Sequence, residues 1–211
     1  MSKKSNLSFH CKINDGLPLE YEQLYIWERK ILQEIIRKND YVCDVWAGWW
    51  RTIDDIYTIT SNIIGIDYDQ DAINWLCEKY PELAFTLADA VNLPFSEKIF
   101  DVVTCMMSWL NFWDKKEKSL EEMYRVLKDN WILIISTFHE NALPIRLKVY
   151  QDIWIKIKEI LWWKVVFDEE FWANTSEQFT KNELHQYLST VGFVVEEIFK
   201  VWVGYICICK K

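Results

Sequence analysis

The segment Tyr41-Val42-Cys43-Asp44-Val45-Trp46-Ala47-Gly48-Trp49-Trp50-Arg51 joins a short β-prone run to a tight loop and a helix start. A strand feeding a glycine loop and then a helix lets a cofactor approach the backbone and offers helix amides to an anionic group. Here tryptophan stands at 46, 49 and 50, where that chemistry wants glycine. An indole at 46 would fill the space a ligand needs. Asp67 closes the next apolar run, where a strand-end carboxylate can accept both hydroxyls of a ribose; a turn or cap aspartate is the plainer account. His139 lies just beyond the fifth strand and is the one weak candidate for taking a proton. A satisfied surface histidine is the preferred account, and His10 and His185 are assigned nothing.

Composition bears on the tryptophans. Average usage puts glycine near 7%, about 15 residues in a chain this long. This chain has 5 glycines and 13 tryptophans, and the pooled number falls close to the expected glycine content. The reading that follows is that most of these tryptophan codons are UGA, read as glycine in the source lineage. A tryptophan-rich protein with a decayed loop is the alternative. The same swap suits other turns: Trp131 after a helix, where a left-handed residue is wanted, and Trp162-Trp163 before Val165-Val166-Phe167. Trp75, Trp109 and Trp113 lie where tryptophan is chemically tolerable.

The surrounding elements are legible from period and punctuation. Residues 1–18 are a polar, irregular arm. Ile26, Ile31, Leu32, Ile35 and Ile36 repeat at helical spacing, giving a helix that ends near Arg37-Lys38. Strands are expected at 41–45, 63–67, 84–87, 100–106 and 131–136, the fourth apolar enough to be buried on both faces. Helices separate them: 51–57, one capped by Asp69, and one opening at a capping box of Asp114 and Glu117 and reaching Leu127. Residues 141–176 break the alternation with an apolar helix (Ile145, Leu147, Val149, Ile153, Ile157, Ile160) and a short β excursion at 165–167. Thr180 and Glu183 form a second capping box, and two strands close the chain. Alternation to residue 137 implies right-handed crossovers and a parallel sheet. Lys200-Val201-Trp202 is too short for a crossover, so the last two strands must be antiparallel neighbours. The expectation is one doubly wound α/β domain over 19–211, with a mostly parallel seven-stranded sheet and an antiparallel last strand beside the fifth.

Net charge is −8 and pI about 5.0, which argues against nucleic acid, since phosphate binding needs a basic face. No stretch reaches the roughly 18 apolar residues of a membrane span, and the basic N-terminus lacks the apolar core of a signal peptide. The six cysteines are scattered without a C-x-x-C pair; reduced buried thiols, no metal and a cytoplasmic location are expected.

Four segments, in order, resemble the class I S-adenosylmethionine-dependent methyltransferases, in particular the small-molecule group. They are Val42 to Arg51, matching V-L-D-x-G-x-G-x-G; Ile64-Gly65-Ile66-Asp67-Tyr68-Asp69; Ala88-Asp89-Ala90-Val91-Asn92-Leu93-Pro94-Phe95; and Phe100-Asp101-Val102-Val103 with Tyr124-Arg125-Val126-Leu127-Lys128. The match is close over residues 26–138 and looser beyond. The departure is the glycine loop itself.

The resemblance implies a Rossmann-like fold, S-adenosylmethionine as cofactor and methyl transfer to a small-molecule acceptor by in-line displacement. It implies a cofactor site made by Asp44, Trp46, Ala47, Gly48, Trp50, Arg51, Asp67, Tyr68, Ala88, Asp89, Ala90 and Met106. In it Tyr68 packs on the adenine face, Asp89 accepts the exocyclic amine and Ala90 offers an amide. Met106, Met107, Ser108, Leu110, Asn111 and Phe112 would line the space between cofactor and acceptor, with 141–176 as a substrate-side cover. Two other readings stand beside it. A non-catalytic binding or scaffold protein on this fold stays open. A nicotinamide-dependent dehydrogenase is disfavoured because the third small residue of its loop would be Arg51. The acceptor and the oligomeric state are not legible.

Overall fold

The computed structural model describes residues 18–48, 51–107, 115–152, 154–168 and 175–211. The main sheet runs through β1 (Val42–Val45), β2 (Ile63–Asp67), β3 (Ala84–Leu87), β4 (Phe100–Cys105) and β5 (Leu127–Phe138). Between them lie α2 (Arg51–Tyr57), α3 (Gln70–Lys79) and α4 (Lys116–Val126), with α1 (Leu19–Ile35) in front and α5 (Leu143–Asp152) behind. A small antiparallel sheet follows from β6 (Ile157–Ile160), β7 (Lys164–Phe167) and β8 (Thr175–Glu177); then come α6 (Lys181–Val191), β9 (Val194–Val201) and β10 (Gly204–Lys210). The seven strands of the main sheet lie in the order β3-β2-β1-β4-β5-β10-β9. The first five are parallel, and β10 enters antiparallel between β5 and β9. This is the expected doubly wound sheet, its order reversing between β1 and β4.

Strand periodicity distributes the core to two faces. Val42, Val102, Ile134 and Ile206 pack with Leu24, Leu32, Ile53 and Leu76 from α1, α2 and α3. Their neighbours Cys43, Val103, Leu133 and Cys207 pack with Leu120, Met123, Leu184 and Leu188 from α4 and α6. Burial on both faces explains why β1 and β4 are apolar at nearly every position.

Several sequence expectations shift. The buried face of α1 is Tyr21, Leu24, Glu28, Ile31 and Leu32; Ile26 is exposed, and the helix stops at Ile35. The α4 N-cap is Lys115 without a side-chain cap, and Asp114 lies outside the described residues. The long apolar helix expected after residue 141 is α5 alone, because Ile157 and Ile160 belong to β6 and Ile153 is outside the described residues. Asp69 and Thr180 do cap α3 and α6, the latter in a full capping box.

The backbone shows where glycine is needed. Trp46, Trp154 and Trp202 have φ of 71°, 62° and 49°, in the left-handed region that bulky L-residues avoid. Trp131 does not. Strand β5 starts four residues before it, and the left-handed residue is Asn130 at φ 67°, where asparagine is tolerated. Trp162 and Trp163 do form the two-residue turn between β6 and β7, closed by bonds between Leu161 and Lys164, without positive φ. Trp202 opens the two-residue β9–β10 turn, the place of glycine in a type II′ hairpin. Trp154→Gly and Trp202→Gly should each stabilise the protein by about 1–2 kcal/mol, the cost of a left-handed L-residue, whereas Trp131→Gly should give no gain because it loosens an extended strand. Urea unfolding of the three variants checks this; equal effects at 131 and 202 would contradict it.

Candidate cofactor site

Four parallel strands end at one edge of the sheet, on either side of the point where strand order reverses. Ligands of such sheets bind outside these carboxyl ends. Asp44, one residue from the end of β1, is 1% exposed. Its Oδ1 accepts a hydrogen bond from Thr104 Oγ1 at 2.5 Å, while its buried Oδ2 has no hydrogen-bond partner among the described residues. Burial pushes its carboxyl up to about 7, against the lowering effects of the Thr104 bond and the Arg51 charge.

Asp67, the last residue of β2, is also buried. Its Oδ2 accepts from Gly48 N at 2.8 Å and its Oδ1 from Asp69 N at 2.9 Å. Burial again dominates and raises its carboxyl to about 6. The loop between these acids is tied down by backbone: Trp46 N and Ala47 N both donate to Ile66 O at 2.8 Å. Gly48 is left-handed too, at φ 54°, and a side chain there would point at the Asp67 carboxylate, 4.0 Å from its Cβ. Trp46 packs edge-on to the part-exposed Tyr68 ring, with centroids 5.2 Å apart.

The remaining expected residues cluster at the same edge or beside it. Ala88 N donates to Asp67 O at 2.9 Å. Asp89 Oδ1 accepts from Val91 N at 3.1 Å, so it also shapes its own turn; Ala90 is buried beside it. Met106 is buried after β4, and Met107 takes φ 55°, donating from N to Ser136 Oγ at 2.8 Å. Arg51 opens α2, its guanidinium bonded to Glu28 and stacked 4.0 Å over the Tyr25 ring. Trp49, Trp50, Ser108, Leu110, Asn111 and Phe112 lie outside the described residues.

His139 has both ring nitrogens engaged. Nδ1 accepts from Asn141 N at 3.0 Å and Nε2 faces the Trp202 carbonyl at 2.5 Å. Accepting at Nδ1 and donating at Nε2 defines a neutral ring, and burial lowers its pKa further. In this arrangement the ring joins β5 to the β9–β10 turn and presents no nitrogen to an acceptor. Sequence reading missed Glu28, Thr104 and Ser136. Glu28 left a signal: it sits at helical spacing between Leu24 and Leu32, an acid on an apolar stripe.

Among the described residues the edge thus holds Asp67 beside Asp44, and Asp44 and Glu28 share one guanidinium that is already bound to Glu28. An orphaned carboxylate oxygen and a strand-end carboxylate fit a ligand with a positive centre and hydrogen-bond donors.

The comparisons agree with this geometry. A methyltransferase domain model matches residues 46–135. The chain is 24% identical over 186 residues to a demethylmenaquinone methyltransferase of Paenarthrobacter aurescens, covering 86% of this chain and 72% of that one. It is 30% identical over 153 residues to an uncharacterized protein of Methanocaldococcus jannaschii, covering 70% of this chain and 55% of that protein's length. Among solved structures, a Pyrococcus horikoshii protein superposes with a TM-score of 0.72 at 22% identity, over 92% of both chains. An S-adenosylmethionine-dependent methyltransferase of Methanosarcina mazei superposes with a TM-score of 0.68 at 18% identity, over 86% of this chain and 96% of that one. Residues 46–135 carry a methyltransferase domain. The chain is an S-adenosylmethionine-dependent enzyme.

A pH dependence follows. Without ligand, carboxyls raised to about 7 and 6 hold protons that an unfolded chain would already have lost. The ligand-free fold therefore loses stability as pH rises through these values. A cationic cofactor favours the ionised acids, so its binding releases protons and tightens with rising pH. Affinity should increase between about pH 6 and 8, and Asp44→Asn should flatten the rise. Calorimetry across that range, in buffers of different ionisation enthalpy, measures it; affinity independent of pH would contradict it.

Proposed function

We propose that this enzyme transfers the methyl group of S-adenosylmethionine to a small-molecule acceptor, and that its natural product carries glycine at the tryptophan positions of the cofactor loop. The observation that carries the first part is the pair of buried acids, Asp44 and Asp67, at the ends of adjacent parallel strands, one with an oxygen left unbonded. Bound there, the cofactor supplies an electrophilic methyl on a sulfonium. The chain's own groups hold it. Asp67 accepts from the ribose hydroxyls, Asp44 faces the amino-acid end, and the amides at the start of the helix, from Arg51 onward, meet the carboxylate. Tyr68 packs on the adenine, Asp89 and Ala90 read its edge, and Ala88 and Met106 close the wall.

In-line displacement asks the protein mainly to align the nucleophile and exclude water. The segment 141–176, with α5 and the three-stranded sheet, serves as the cover on the acceptor side. Relatives named for demethylmenaquinone support a small-molecule acceptor. Among the described residues no helix is long and apolar enough to cross a membrane, and the buried free thiols suit a reducing cytoplasm.

The glycine reading rests on the backbone. Trp46 is left-handed at the turn out of β1, and its indole stands against the ring that is to carry adenine. Trp154 and Trp202 are left-handed as well. Random decay has no reason to set tryptophan at turns of this kind; UGA codons decoded as glycine do. The chain with tryptophan at 46, 49 and 50 should bind S-adenosylmethionine poorly, and the triple glycine variant should bind it. In that variant Asp67→Ala should weaken binding by roughly 1.5–3 kcal/mol, the scale of hydrogen bonds to a charged group. Calorimetry compares the three proteins. Tight binding by the tryptophan form would sink the glycine reading, and unchanged affinity in Asp67→Ala would remove that residue from the site. Binding without turnover on a broad acceptor pool would favour a non-catalytic role.

A further inference from the structure

We propose that Glu28 is a positioning residue of the transfer site, holding the residue that follows the cofactor loop and the turn after β4 in one frame. It is fully buried on α1, well away from both segments in sequence. One carboxylate oxygen accepts from Arg51 Nη1, at the start of α2. The other accepts from Ser136 Oγ at 2.5 Å, near the end of β5. Ser136 Oγ in turn accepts from Met107 N at 2.8 Å, and the Ser136 carbonyl accepts from the same amide at 3.1 Å. Met107 is left-handed at φ 55°, so its turn is one that needs external support. Tyr25, one turn before Glu28, stacks under the same guanidinium at 4.0 Å. Helix α1 thus grips Arg51 from two sides and reaches the Met107 turn through one hydroxyl.

The arrangement also allocates charge. The acids that feel the Arg51 charge are Glu28, Asp55 and Asp44. Asp55 has its own cation in Arg29, at 2.5 Å on Oδ1, although its Oδ2, like that of Asp44, is unbonded among the described residues. Glu28 holds the Arg51 guanidinium directly, while Asp44 keeps an unbonded oxygen. By engaging the nearest cation, Glu28 leaves Asp44 for a positively charged ligand. Removing the Glu28 charge while keeping its shape turns Arg51 toward Asp44, and the site loses its preference for a cation. This second step rests on the methyltransferase reading above; the positioning of Arg51 and Met107 does not.

The test uses the full-length chain with glycine at 46, 49 and 50. In ligand-free protein, Glu28→Gln should move the fall of thermal stability with rising pH, set by Asp44 near pH 7, down by about one pH unit or more, a tenfold change in proton affinity. Glu28's own titration disappears too, so Asp44→Asn and the double variant are measured beside it. Non-additivity in the pH profile is the expected result; simple additivity, or an unchanged profile in Glu28→Gln, overturns the proposal. Ser136→Ala, which keeps the Arg51 pair and the backbone bond from Met107 N to Ser136 O, should still speed amide exchange at Met107 severalfold, because the hydroxyl that ties the turn to Glu28 is gone, without moving that profile. Unchanged exchange at Met107 overturns the positioning role even if Glu28→Gln does not fold. With S-adenosylmethionine added, the parent should bind more tightly as pH rises, and Glu28→Gln should lose that dependence. A parent that binds no cofactor defeats the methyltransferase reading, while the ligand-free measurements still decide the role of Glu28.

Discussion

The left-handed turn out of β1 is the constraint on which this site depends. At position 46 the chain must leave a strand buried on both faces and reach a helix start at residue 51. It does so with two successive amides, from 46 and 47, on the single carbonyl of Ile66, and with the next amide, from Gly48, on the Asp67 carboxylate. Those bonds run from backbone to β2, so they fix the path whatever side chain position 46 carries. A φ of 71° there follows from the path, and tryptophan is among the residues least suited to it. The fold tolerates the indole; a ligand that must meet this backbone has far less freedom to do so.

The same turn concentrates charge. Because β1 and β2 are parallel neighbours, Asp44 and Asp67 end on one edge, and the helix that follows the loop brings the Arg51 charge to Asp44. Helix α1, which precedes β1, then adds a fourth charged group in Glu28. A buried acid is stable only with a partner or a proton. Glu28 has Arg51 and Ser136, Asp67 has two amides, and Asp44 has one hydroxyl and an unbonded oxygen. That ranking singles out Asp44 as the group whose state changes most when a cation arrives.

Most of the sheet was legible in the sequence because parallel strands buried on both faces read as continuous apolar runs, and Asp69 and Thr180 mark their helices by capping chemistry. The antiparallel β10 followed from loop length alone. What failed was local. Ile26 seemed inward because the spacing rule counts apolar residues and ignores a glutamate on the same stripe, so Glu28 went unread. Trp131 seemed left-handed because β5 was expected to begin there, whereas the strand starts at Leu127 and bulges at Asn130. Trp154 and Trp202 show their strain only in the backbone. His139 looked available because sequence places it at the sheet edge and says nothing about the amide and carbonyl that occupy its ring.

The account stands or falls on what the natural protein carries at position 46. Peptide mass spectrometry of the protein isolated from its source, over the peptides that contain residues 42–51, 154 and 202, reads this directly. Glycine at 46, 49 and 50, with glycine also at 154 and 202, is the predicted result. Tryptophan at 46 in the natural protein would contradict the account, leaving a methyltransferase fold whose cofactor loop is closed by its own side chain.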